Sequence, residues 1–471
     1  MSSLLRSAII KAYWRLLPLL FFSYIIAYVD RNNVSLAKLK MINDLRSFQH
    51  RTETIFGLGQ VAFFIGYLIL EIPGTLIVEK WSARKWICRI MITWGILASL
   101  TAIVKQPWHF YLIRFLLGLA EAGFFPGIVV YLTHWFPARA RARALSLFFT
   151  ATPIAQFISP KISYYILRMG TIENGIYYRT LFKLKGWQWM YIIWGIPSVI
   201  FGIVVLFFLT DRPKDANWLS DEERQVLETE LSLELLHRQA AGGHLTLLQA
   251  LRHIKVILLA IAYFFVVTGN YGVEIFLPTI LRDWYHLSDS LLTWLLMIPP
   301  FGSLVGMLVI GFSSDRTKER RFHASIPILI GAIGLGLTLI RQQPLIVMII
   351  LFTVASIGTK AYAPAFWSLP SLFLSESAAA GSIGFINSIG NLGGGVGPFV
   401  LGILKDRTGS FFLGILLLSI SMCLTSIIIT VLRFDRDRQQ ELHKNKQQLI
   451  ISSINEELTT TTREIEQSTK F

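Results

Sequence analysis

The sequence predicts an all-α membrane protein with about twelve transmembrane helices, and two observations support that fold class. The 471 residues are 53% hydrophobic and only 15% charged, whereas soluble globular chains carry about 25% charged residues. Apolar runs long enough for a membrane-spanning helix, which needs about 20 residues, also recur along most of the chain. The twelve candidate spans are 15–37, 55–78, 86–104, 108–136, 142–168, 188–209, 254–281, 290–313, 323–341, 344–372, 379–404 and 410–433.

The spans fall into two groups of six, which divide the chain into five parts. A cytoplasmic N-terminal segment (1–14) precedes a first six-helix bundle (15–209). A cytoplasmic central loop (210–252) leads to a second six-helix bundle (253–433), and a polar cytoplasmic tail (434–471) follows. Paired six-helix halves are typical of transporters built from internal repeats, so we expect the two bundles to be pseudo-symmetric.

Ser220 and Glu223 lie in the polar central loop with the spacing of a capping box. In this motif each side chain accepts a hydrogen bond from the backbone N–H of the other residue, which satisfies two donors at the start of a helix. A short soluble helix is therefore predicted to begin at this point of the loop.

The distribution of the basic residues predicts the orientation of the chain in the membrane. More of the 44 Lys and Arg residues lie in loops on the side of the N-terminus than on the opposite side. Because cytoplasmic loops are enriched in Lys and Arg, we expect both termini to be cytoplasmic. The chain is predicted to be a multi-pass protein of the cell membrane, which in a bacterium is the inner membrane.

Composition and motifs also exclude several classes of function. The net charge of +15 would ordinarily suggest a nucleic-acid partner, but the bases sit in short loops between apolar runs, where anionic lipid and topology explain them. The sequence contains no phosphate-binding loop, metal-ligand cluster or nucleophile motif. We therefore expect neither an enzyme nor a bound cofactor or metal, and no nucleic-acid partner.

A charge motif occurs at equivalent places in the two groups of spans. In each copy an acid and a base end a helix and another base follows four residues after the first base. The six residues are Glu79, Lys80 and Arg84 after the second span and Asp315, Arg316 and Arg320 after the eighth. The motif predicts a cytoplasmic gate whose charges pair in one conformation only, although a single copy could equally mark topology.

Several charged residues in the first half of the chain lie within predicted spans, where a charge costs at least a few kcal/mol unless it lines water or has a partner. Asp30 and Arg31 are adjacent, so they point about 100° apart on a helix and need different partners. Arg114 and Glu121 are seven residues apart and share a helical face. An arginine there suits a carboxylate substrate and a buried acid suits a proton. The alternative is that these charges form structural salt bridges.

Six sequence stretches resemble one family of transporters. They are YVDRNN (28–33), GYLILEIP (66–73), RFLLGLAEAGFFPG (114–127), YLTHWFP (131–137), FWSLP (366–370) and NSIGNLG (387–393). Over roughly residues 15–433 the chain resembles the major facilitator superfamily and, within it, the anion:cation symporter group of tartrate, phthalate and galactonate permeases. The resemblance implies two six-helix halves that rock about a central cavity lined by the first, fourth, seventh and tenth spans.

The resemblance also implies roles for individual residues. Asp30 and Glu121 match proton-coupling sites of the family, and Arg114 matches a substrate contact that Arg31 is expected to assist. Other candidate substrate contacts are polar or aromatic residues near the cavity. They are Tyr28, Tyr67, Trp367 and Ser368, together with Asn387 or Asn391, between which the sequence does not choose.

Glu274 and Lys360 depart from the pattern of the resembling permeases, which usually carry small or neutral residues at these positions of the seventh and tenth spans. One hypothesis is that they form an ion pair in the second bundle. Another is that Lys360 supplies positive charge for a substrate with two negative charges. An inert buried pair is the structural alternative.

Together these observations predict a monomeric secondary transporter that takes up a small organic anion, such as a sugar acid or a mono- or dicarboxylate, coupled to protons. Direction is not encoded in these motifs, so an exporter or antiporter of an anionic metabolite or drug remains an alternative. A transporter-like sensor that binds a solute without moving it is an alternative of another class.

Overall fold

The computed structural model describes residues 3–80, 82–173, 176–240, 252–317, 319–340, 342–374 and 376–432. Within them the chain is almost entirely helical. The helices are α1 (Ser3–Asp44), α2 (Thr52–Lys80), α3 (Ala83–Leu100), α4 (Pro107–Glu121), α5 (Phe124–Thr133), α6 (Ala138–Phe149), α7 (Ala151–Leu167), α8 (Gly186–Phe208), α9 (Asp221–Ala240), α10 (Ile254–Tyr285), α11 (Asp289–Thr317), α12 (Arg321–Leu337), α13 (Leu345–Lys360), α14 (Ala363–Phe366), α15 (Glu376–Thr408) and α16 (Phe412–Val431).

Helices occupy all twelve predicted span positions. In the described part of the chain, nine segments are both long and apolar enough to cross a membrane, at the first to fourth, sixth to eighth, tenth and twelfth positions. The fifth position is divided between α6 and α7, the ninth is the 17-residue α12, and the eleventh is the glycine-rich α15. The all-helical prediction is confirmed, while the boundaries shift by several residues.

The largest boundary error concerns α1, which runs from Ser3 to Asp44 instead of over the predicted 15–37. The predicted N-terminal segment is helical because Leu5, Ala8 and Ala12 on one of its faces are buried in the protein. Residues spaced three and four apart form such a face on a helix. Serines and the basic Arg6 and Lys11 lie between the apolar residues of this segment, so it contains no continuous apolar run.

Gly123 interrupts the fourth span between α4 and α5. Its φ of 81° lies in the left-handed region, which a glycine adopts without the steric penalty of a Cβ atom. The helix therefore ends at Glu121 and restarts at Phe124. Gly123, Pro126 and Gly127 are residue types that interrupt helices, so the sequence predicts a break in this span, and the structure places it at Gly123.

The segment between α7 and α8 departs from an all-helical protein. It contains a two-stranded antiparallel hairpin of β1 (Ile172–Glu173) and β2 (Ile176–Tyr177). Backbone hydrogen bonds from Gly170 to Tyr178 and from Tyr178 to Thr171 extend the pairing toward the helices. The sequence of this loop (about 169–186) is longer and more basic than is usual in the resembling permeases, but its pattern does not predict strands.

The predicted capping box in the central loop is confirmed. The backbone N–H of Ser220 donates to Glu223 at 3.0 Å and the N–H of Glu223 donates to Ser220 Oγ at 3.2 Å, and α9 begins at the next residue, Asp221. Glu223 also accepts from Lys11 Nζ at 2.8 Å and from Ser7 Oγ at 2.7 Å. The short helix is thereby attached to the N-terminal part of α1.

Helices α1–α8 (the first half) and α10–α16 (the second half) meet mainly along two helix pairs, α2 with α15 and α7 with α11. At the end where α1 finishes and α2 begins, a Cβ added to Gly402 would lie 2.4 Å from the carbonyl oxygen of Glu53. Asp406 of α15 accepts backbone N–H groups of Glu53 and Thr54 at 3.3 and 2.7 Å. The halves therefore touch backbone to backbone at this closed end.

Candidate functional site

A cavity of about 140 Å³ lies between the two halves. At about 30 Å³ for one water molecule, this is room for about five waters. Arg31, Glu121 and Lys360 are the charged residues among its described lining. Tyrosines from both halves provide much of the remaining wall, namely Tyr24, Tyr28, Tyr67, Tyr263, Tyr271 and Tyr362. The cavity can therefore combine charge recognition with aromatic and hydroxyl contacts.

Arg31 and Glu121 form an ion pair on the wall of the cavity. The other terminal nitrogen of the guanidinium, Nη1, donates to the Tyr271 hydroxyl at 3.0 Å, so Arg31 also contacts the second half. Its guanidinium carbon lies 5.4 Å from the ring centre of Tyr28 and 5.9 Å from that of Tyr67. Glu121 is the last residue of α4, where the negative end of the helix dipole disfavours an acid. Arg31 therefore compensates an unfavourable position.

Asp30 lies behind this wall. Its partner differs from that of Arg31, because adjacent residues of a helix point about 100° apart. Trp94 Nε1 donates to Asp30 Oδ2 at 2.6 Å, and Oδ1 of the buried Asp30 has no hydrogen-bond partner among the described residues. Arg114 is also buried, and its Nη2 donates to Gln60 Oε1 at 2.8 Å. Neither Asp30 nor Arg114 belongs to the described lining of the cavity.

The seven-residue spacing of Arg114 and Glu121 does not make them partners. Glu121 pairs with Arg31 from α1, while Arg114 contacts Gln60 of α2 and has its guanidinium carbon 4.6 Å from the ring centre of Phe63. Spacing along a helix predicts which face two residues share, but the neighbouring helices decide what each side chain meets. In this conformation the arginine beside the cavity is Arg31.

Lys360 and Glu274 form the ion pair that the sequence suggested, with Lys360 Nζ 2.7 Å from Glu274 Oε1. Gln156 of α7 accepts from Lys360 through its Oε1 and donates to Glu274 through its Nε2. Asn270 donates to the other Glu274 oxygen at 3.3 Å. The cluster therefore contains one residue from the first half and three from the second.

The amides of Asn387 and Asn391 line the cavity and also contact a buried acid of the opposite half. Asn387 Nδ2 donates to Glu71 Oε1 at 2.6 Å, Ser388 Oγ donates to Glu71 Oε2 at 3.0 Å, and Asn391 Nδ2 lies 3.5 Å from Glu71 Oε1. Both asparagines thus connect α15 to α2 at the edge of the site. The geometry does not distinguish one of them as the single contact that the sequence left open.

Trp367 and Ser368, which the sequence grouped together, have different positions. Trp367 lines the cavity and packs edge to face on Tyr263 with ring centres 4.8 Å apart. Ser368 Oγ donates to the backbone oxygen of Ala365 at 2.6 Å and is not among the described lining residues. Both residues lie in the turn that follows α14, and of the two only Trp367 lines the cavity.

The cytoplasmic charge motif is only partly described. Arg84 contacts Asp211, which accepts its backbone N–H at 2.9 Å and lies 3.7 Å from its Nε. Arg320 Nη1 donates to Ser314 Oγ at 3.0 Å, and Arg316 is exposed. The side chains of Glu79, Lys80 and Asp315 lie outside the described residues. The predicted pairing across the gate therefore stays a prediction.

Sequence reasoning missed several residues of the site. Tyr24, Tyr263, Tyr271 and Tyr362 line the cavity, and Gln156 joins the Lys360 cluster. Uncharged side chains in apolar helices resemble ordinary packing residues, so only their neighbours could have indicated them. Tyr24 lies one turn before Tyr28, and Asn270 lies one turn before Glu274. Among the described residues, no group of three or more His, Cys, Asp or Glu side chains could hold a metal ion.

Comparison with solved structures shows the fold. The inward open xylose transporter XylE from E. coli superposes with a TM-score of 0.68 at 16% identity, covering 88% of this chain and 95% of that one. A bacterial homolog of the human lysosomal transporter Spinster, in an inward-facing and occupied conformation, superposes with a TM-score of 0.63 at 17% identity, covering 89% and 95%.

Relatives with higher sequence identity than these structures are found among known protein sequences. A protein of Agrobacterium vitis named "Putative tartrate transporter" is 41% identical over 422 residues, which are 90% of each chain. The "Quinolone resistance transporter" of Acinetobacter baumannii is 36% identical over 91% of this chain and 95% of that protein. The family description "Major Facilitator Superfamily" matches residues 20–283 and 259–465. With the cavity between two helical halves, these matches establish that the chain is a transporter of the major facilitator superfamily.

Proposed function

We propose that this protein takes up a small organic anion, a sugar acid or a mono- or dicarboxylate, together with protons by alternating access. It would act as a monomer in the cell membrane with both termini in the cytoplasm. The observation that carries the proposal is the Arg31–Glu121 ion pair on the wall of the cavity. The name of the Agrobacterium relative, which mentions tartrate, supports an organic acid as the substrate.

The ion pair provides a physical link between substrate and proton. A guanidinium binds a carboxylate through two parallel hydrogen bonds, so a substrate carboxylate competes with Glu121 for Arg31. Once displaced, Glu121 is a buried acid at a helix C-terminus without its cation. Burial of an unpaired carboxylate favours the protonated form. Substrate binding at Arg31 therefore promotes proton binding at Glu121.

Asp30 is the second proton site in this proposal. It is buried and has one carboxyl oxygen without a hydrogen-bond partner among the described residues. A protonated carboxyl carries one donor and needs fewer partners than a carboxylate. The indole of Trp94 would hold the group in place in both protonation states. Arg114 is near enough to interact electrostatically with Asp30. The electrostatic potential at Arg114 would therefore change when Asp30 gains or loses a proton.

Alternating access requires the closed end to open while the central site stays intact. The contacts that must break are Gly402 against Glu53, Asp406 with the N-terminus of α2, and Lys40 with Asp289 at 2.7 Å. All three join the first half to the second. Rigid rocking of the halves about the cavity would break them together.

Uptake into proteoliposomes tests the proposal. The purified protein should accumulate labelled organic acids when an inward proton gradient is imposed, and Glu121→Gln should abolish accumulation while it still exchanges substrate across the membrane. Glu222→Gln, at an exposed acid of α9, is the matched control and should accumulate normally. Accumulation by Glu121→Gln against a substrate gradient would refute the coupling role of Glu121.

Export is the second candidate, and one observation favours it. The Acinetobacter relative is named for quinolone resistance, and the tyrosine-rich wall of the cavity could stack on an aromatic solute. Vesicles of both orientations, each with the proton gradient directed inward and outward, distinguish the two directions. If the proton gradient drives accumulation only in vesicles whose cytoplasmic face is outside, the protein is an exporter and the uptake proposal is wrong.

A further inference from the structure

The cavity contains two cations on different halves of the protein. Arg31 belongs to α1 and Lys360 is the last residue of α13, and both line the cavity. Each is bound to a carboxylate, Glu121 or Glu274. We propose that Lys360, with Gln156, forms a second carboxylate-binding subsite opposite Arg31, so that the substrate carries two carboxylates, one held by each half. This inference rests on the proposed function and specifies its substrate class.

The accessibility of the Lys360–Glu274 pair distinguishes it from a structural salt bridge. The side chains of Lys360 and Glu274 are 13% and 20% exposed, whereas Lys38 and Glu53, which pair at the closed end, are 0% and 9% exposed. Lys360 lines the cavity, whereas Glu274 and Gln156 line a neighbouring cavity of about 80 Å³. A solute in the cavity can therefore reach the ammonium of Lys360, which is not enclosed as Lys38 is.

Lys360 can also accept a new partner without losing all of its present ones. An ammonium group has three donors, and the described hydrogen bonds, to Glu274 and Gln156, use two of them. Lys360 lies at the C-terminus of α13, where the helix dipole stabilises a cation independently of Glu274. The lysine is therefore suited to exchange Glu274 for a substrate carboxylate.

Gln156 makes this subsite sensitive to the relation between the halves. It extends from α7 of the first half to Lys360 and Glu274 of the second. Arg31 makes the reciprocal contact, from α1 to the Tyr271 hydroxyl of α10. A molecule with carboxylates at both ends would replace these bridges with one of its own. A monoanion could occupy only one of the two subsites.

The size of the cavity limits the distance between the two charges. A volume of about 140 Å³, close to the ~150 Å³ of an engineered cavity that binds benzene, suits a compact molecule such as a dicarboxylate with a four-carbon skeleton. The tyrosine and asparagine side chains on the wall provide partners for hydroxyl groups between the carboxylates. Hydroxylated four-carbon diacids therefore match the charge, size and polarity of the site.

The test uses the full-length protein in proteoliposomes and pairs of probes with the same skeleton. Succinate, malate and tartrate are each compared with their monoamides, which replace one carboxylate by a neutral amide of similar shape. The wild type should prefer at least one diacid to its monoamide by about tenfold or more, the effect of removing one partner from a buried charge pair. In Lys360→Gln, and in Lys360→Gln with Glu274→Gln, this ratio should fall toward one.

Two further variants separate recognition from folding. Lys360→Arg keeps the charge and should retain preference for the diacid. Lys161→Gln removes another lysine of a membrane helix, whose ammonium lies 3.9 Å from the ring centre of Trp294 and which is absent from the described cavity lining, and it should leave the ratio unchanged. The diacid-induced rise in melting temperature gives a second measure in detergent, and it should disappear in the double variant.

Several results would overturn the inference. Equal uptake of diacid and monoamide by the wild type, or an unchanged ratio in Lys360→Gln, contradicts the second subsite while leaving proton-coupled anion uptake intact. Equal loss of both probes in the folded double variant also contradicts it. If the wild type takes up a sugar acid or a monocarboxylate under a proton gradient but none of the three diacids, the inference fails and the proposed function stands. If it takes up no organic acid, both fail.

Discussion

Two ion pairs, each with its basic residue on α1, differ in their exposure to the cavity. Arg31 and Lys38 are seven residues apart on α1 and pair with Glu121 and Glu53 respectively. The Arg31 side chain is 15% exposed and lines the cavity, whereas the Lys38 side chain is 0% exposed. The ammonium of Lys38 lies 4.1 Å from the ring centre of Phe276 in the second half. One pair can meet a solute, and the other is sealed between the halves.

In the proposed mechanism, exposure, and not the presence of a buried charge, separates a pair that binds substrate from a pair that stabilises the closed end. Desolvation of two ions can exceed their attraction unless geometry and further contacts compensate it. At the closed end the compensation comes from tight helix contact and from aromatic rings around Lys38. The part of this compensation that the second half supplies, including Phe276, is lost whenever the halves separate, so the surroundings of the Lys38 pair favour the closed state. Arg31 stays paired with Glu121 as long as no substrate carboxylate competes for the guanidinium.

Removal of Arg31 should have the largest effect on transport. Arg31→Gln leaves Glu121 buried without its cation, which costs about 3 kcal/mol or more. It also removes the pair of guanidinium donors that would bind a substrate carboxylate. Initial uptake rates of the transported acid should fall by about 100-fold. Arg31→Lys should not restore them, because an ammonium lacks the planar pair of donors.

Arg15, an exposed arginine of the same helix, provides the control for this experiment, and Arg15→Gln should retain most of the uptake. Uptake by Arg31→Gln within a factor of about two of the wild type would show that Arg31 is not the anion-binding cation. The Arg31–Glu121 pair would then have a structural role like that of the Lys38–Glu53 pair, and exposure would not distinguish the two.

Removal of Lys38 should mainly reduce stability. Lys38→Met leaves Glu53 unpaired at a buried site, and we expect about 3 kcal/mol lower free energy of unfolding. Lys38→Met combined with Glu53→Gln should recover part of this loss because no unpaired charge remains. Thermal unfolding in detergent measures the effect. If the single variant is as stable as the wild type, the Lys38 pair does not hold the closed end.

A side chain at Gly402 should disturb the closed end without touching the cavity. A Cβ there would lie 2.4 Å from the backbone oxygen of Glu53, so Gly402→Ala forces α2 and α15 apart, at a cost of about 1–3 kcal/mol. Cysteines placed near this end should become more reactive toward a polar thiol reagent, while substrate binding persists. Gly384→Ala is the control, since no atom lies within 4 Å of its added Cβ. Equal reactivity in the two variants would contradict the prediction.

The smallest effect is expected at the attachment of α9. The hydrogen bond from Lys11, together with those from Ser7 and the Ser220 backbone, lowers the pKa of Glu223 from 4.5 to about 2. The depressed pKa means that the charged glutamate stabilises the folded protein above about pH 4.5 and that this contribution is lost as the pH falls toward 2. The partly exposed Lys11 limits the contribution to about 1 kcal/mol or less.

Hydrogen–deuterium exchange at pH 7 measures this contact. Glu223→Gln should increase exchange in the first turns of α9 by about threefold, and Glu222→Gln on the exposed side should not. An unchanged rate in Glu223→Gln would show that packing alone attaches α9 to α1. The cavity and the closed end should be unaffected in either variant.

Much of the fold follows from local properties of the sequence. The apolar runs located helices at all twelve span positions, and Ser220 with Glu223 located the start of α9. The glycine at position 123 indicated the break in the fourth span. Hydropathy, capping and backbone freedom are local, so a single sequence contains the information for them. The early start of α1 was missed because its buried face is formed against other helices and leaves polar residues between apolar ones.

The partners of the charged residues depended on the tertiary structure. The sequence by itself determined that Asp30, Arg31, Glu121, Glu274 and Lys360 lie in apolar helices and require partners. Only the packing of the helices decided that Arg31 meets a glutamate 90 positions away and that Gln156 meets one 118 positions away. Spacing along a chain specifies the face of a helix, but not which helix packs against that face. For that reason the sequence predicted the kind of chemistry in this protein, and the structure decided which pairs surround the cavity.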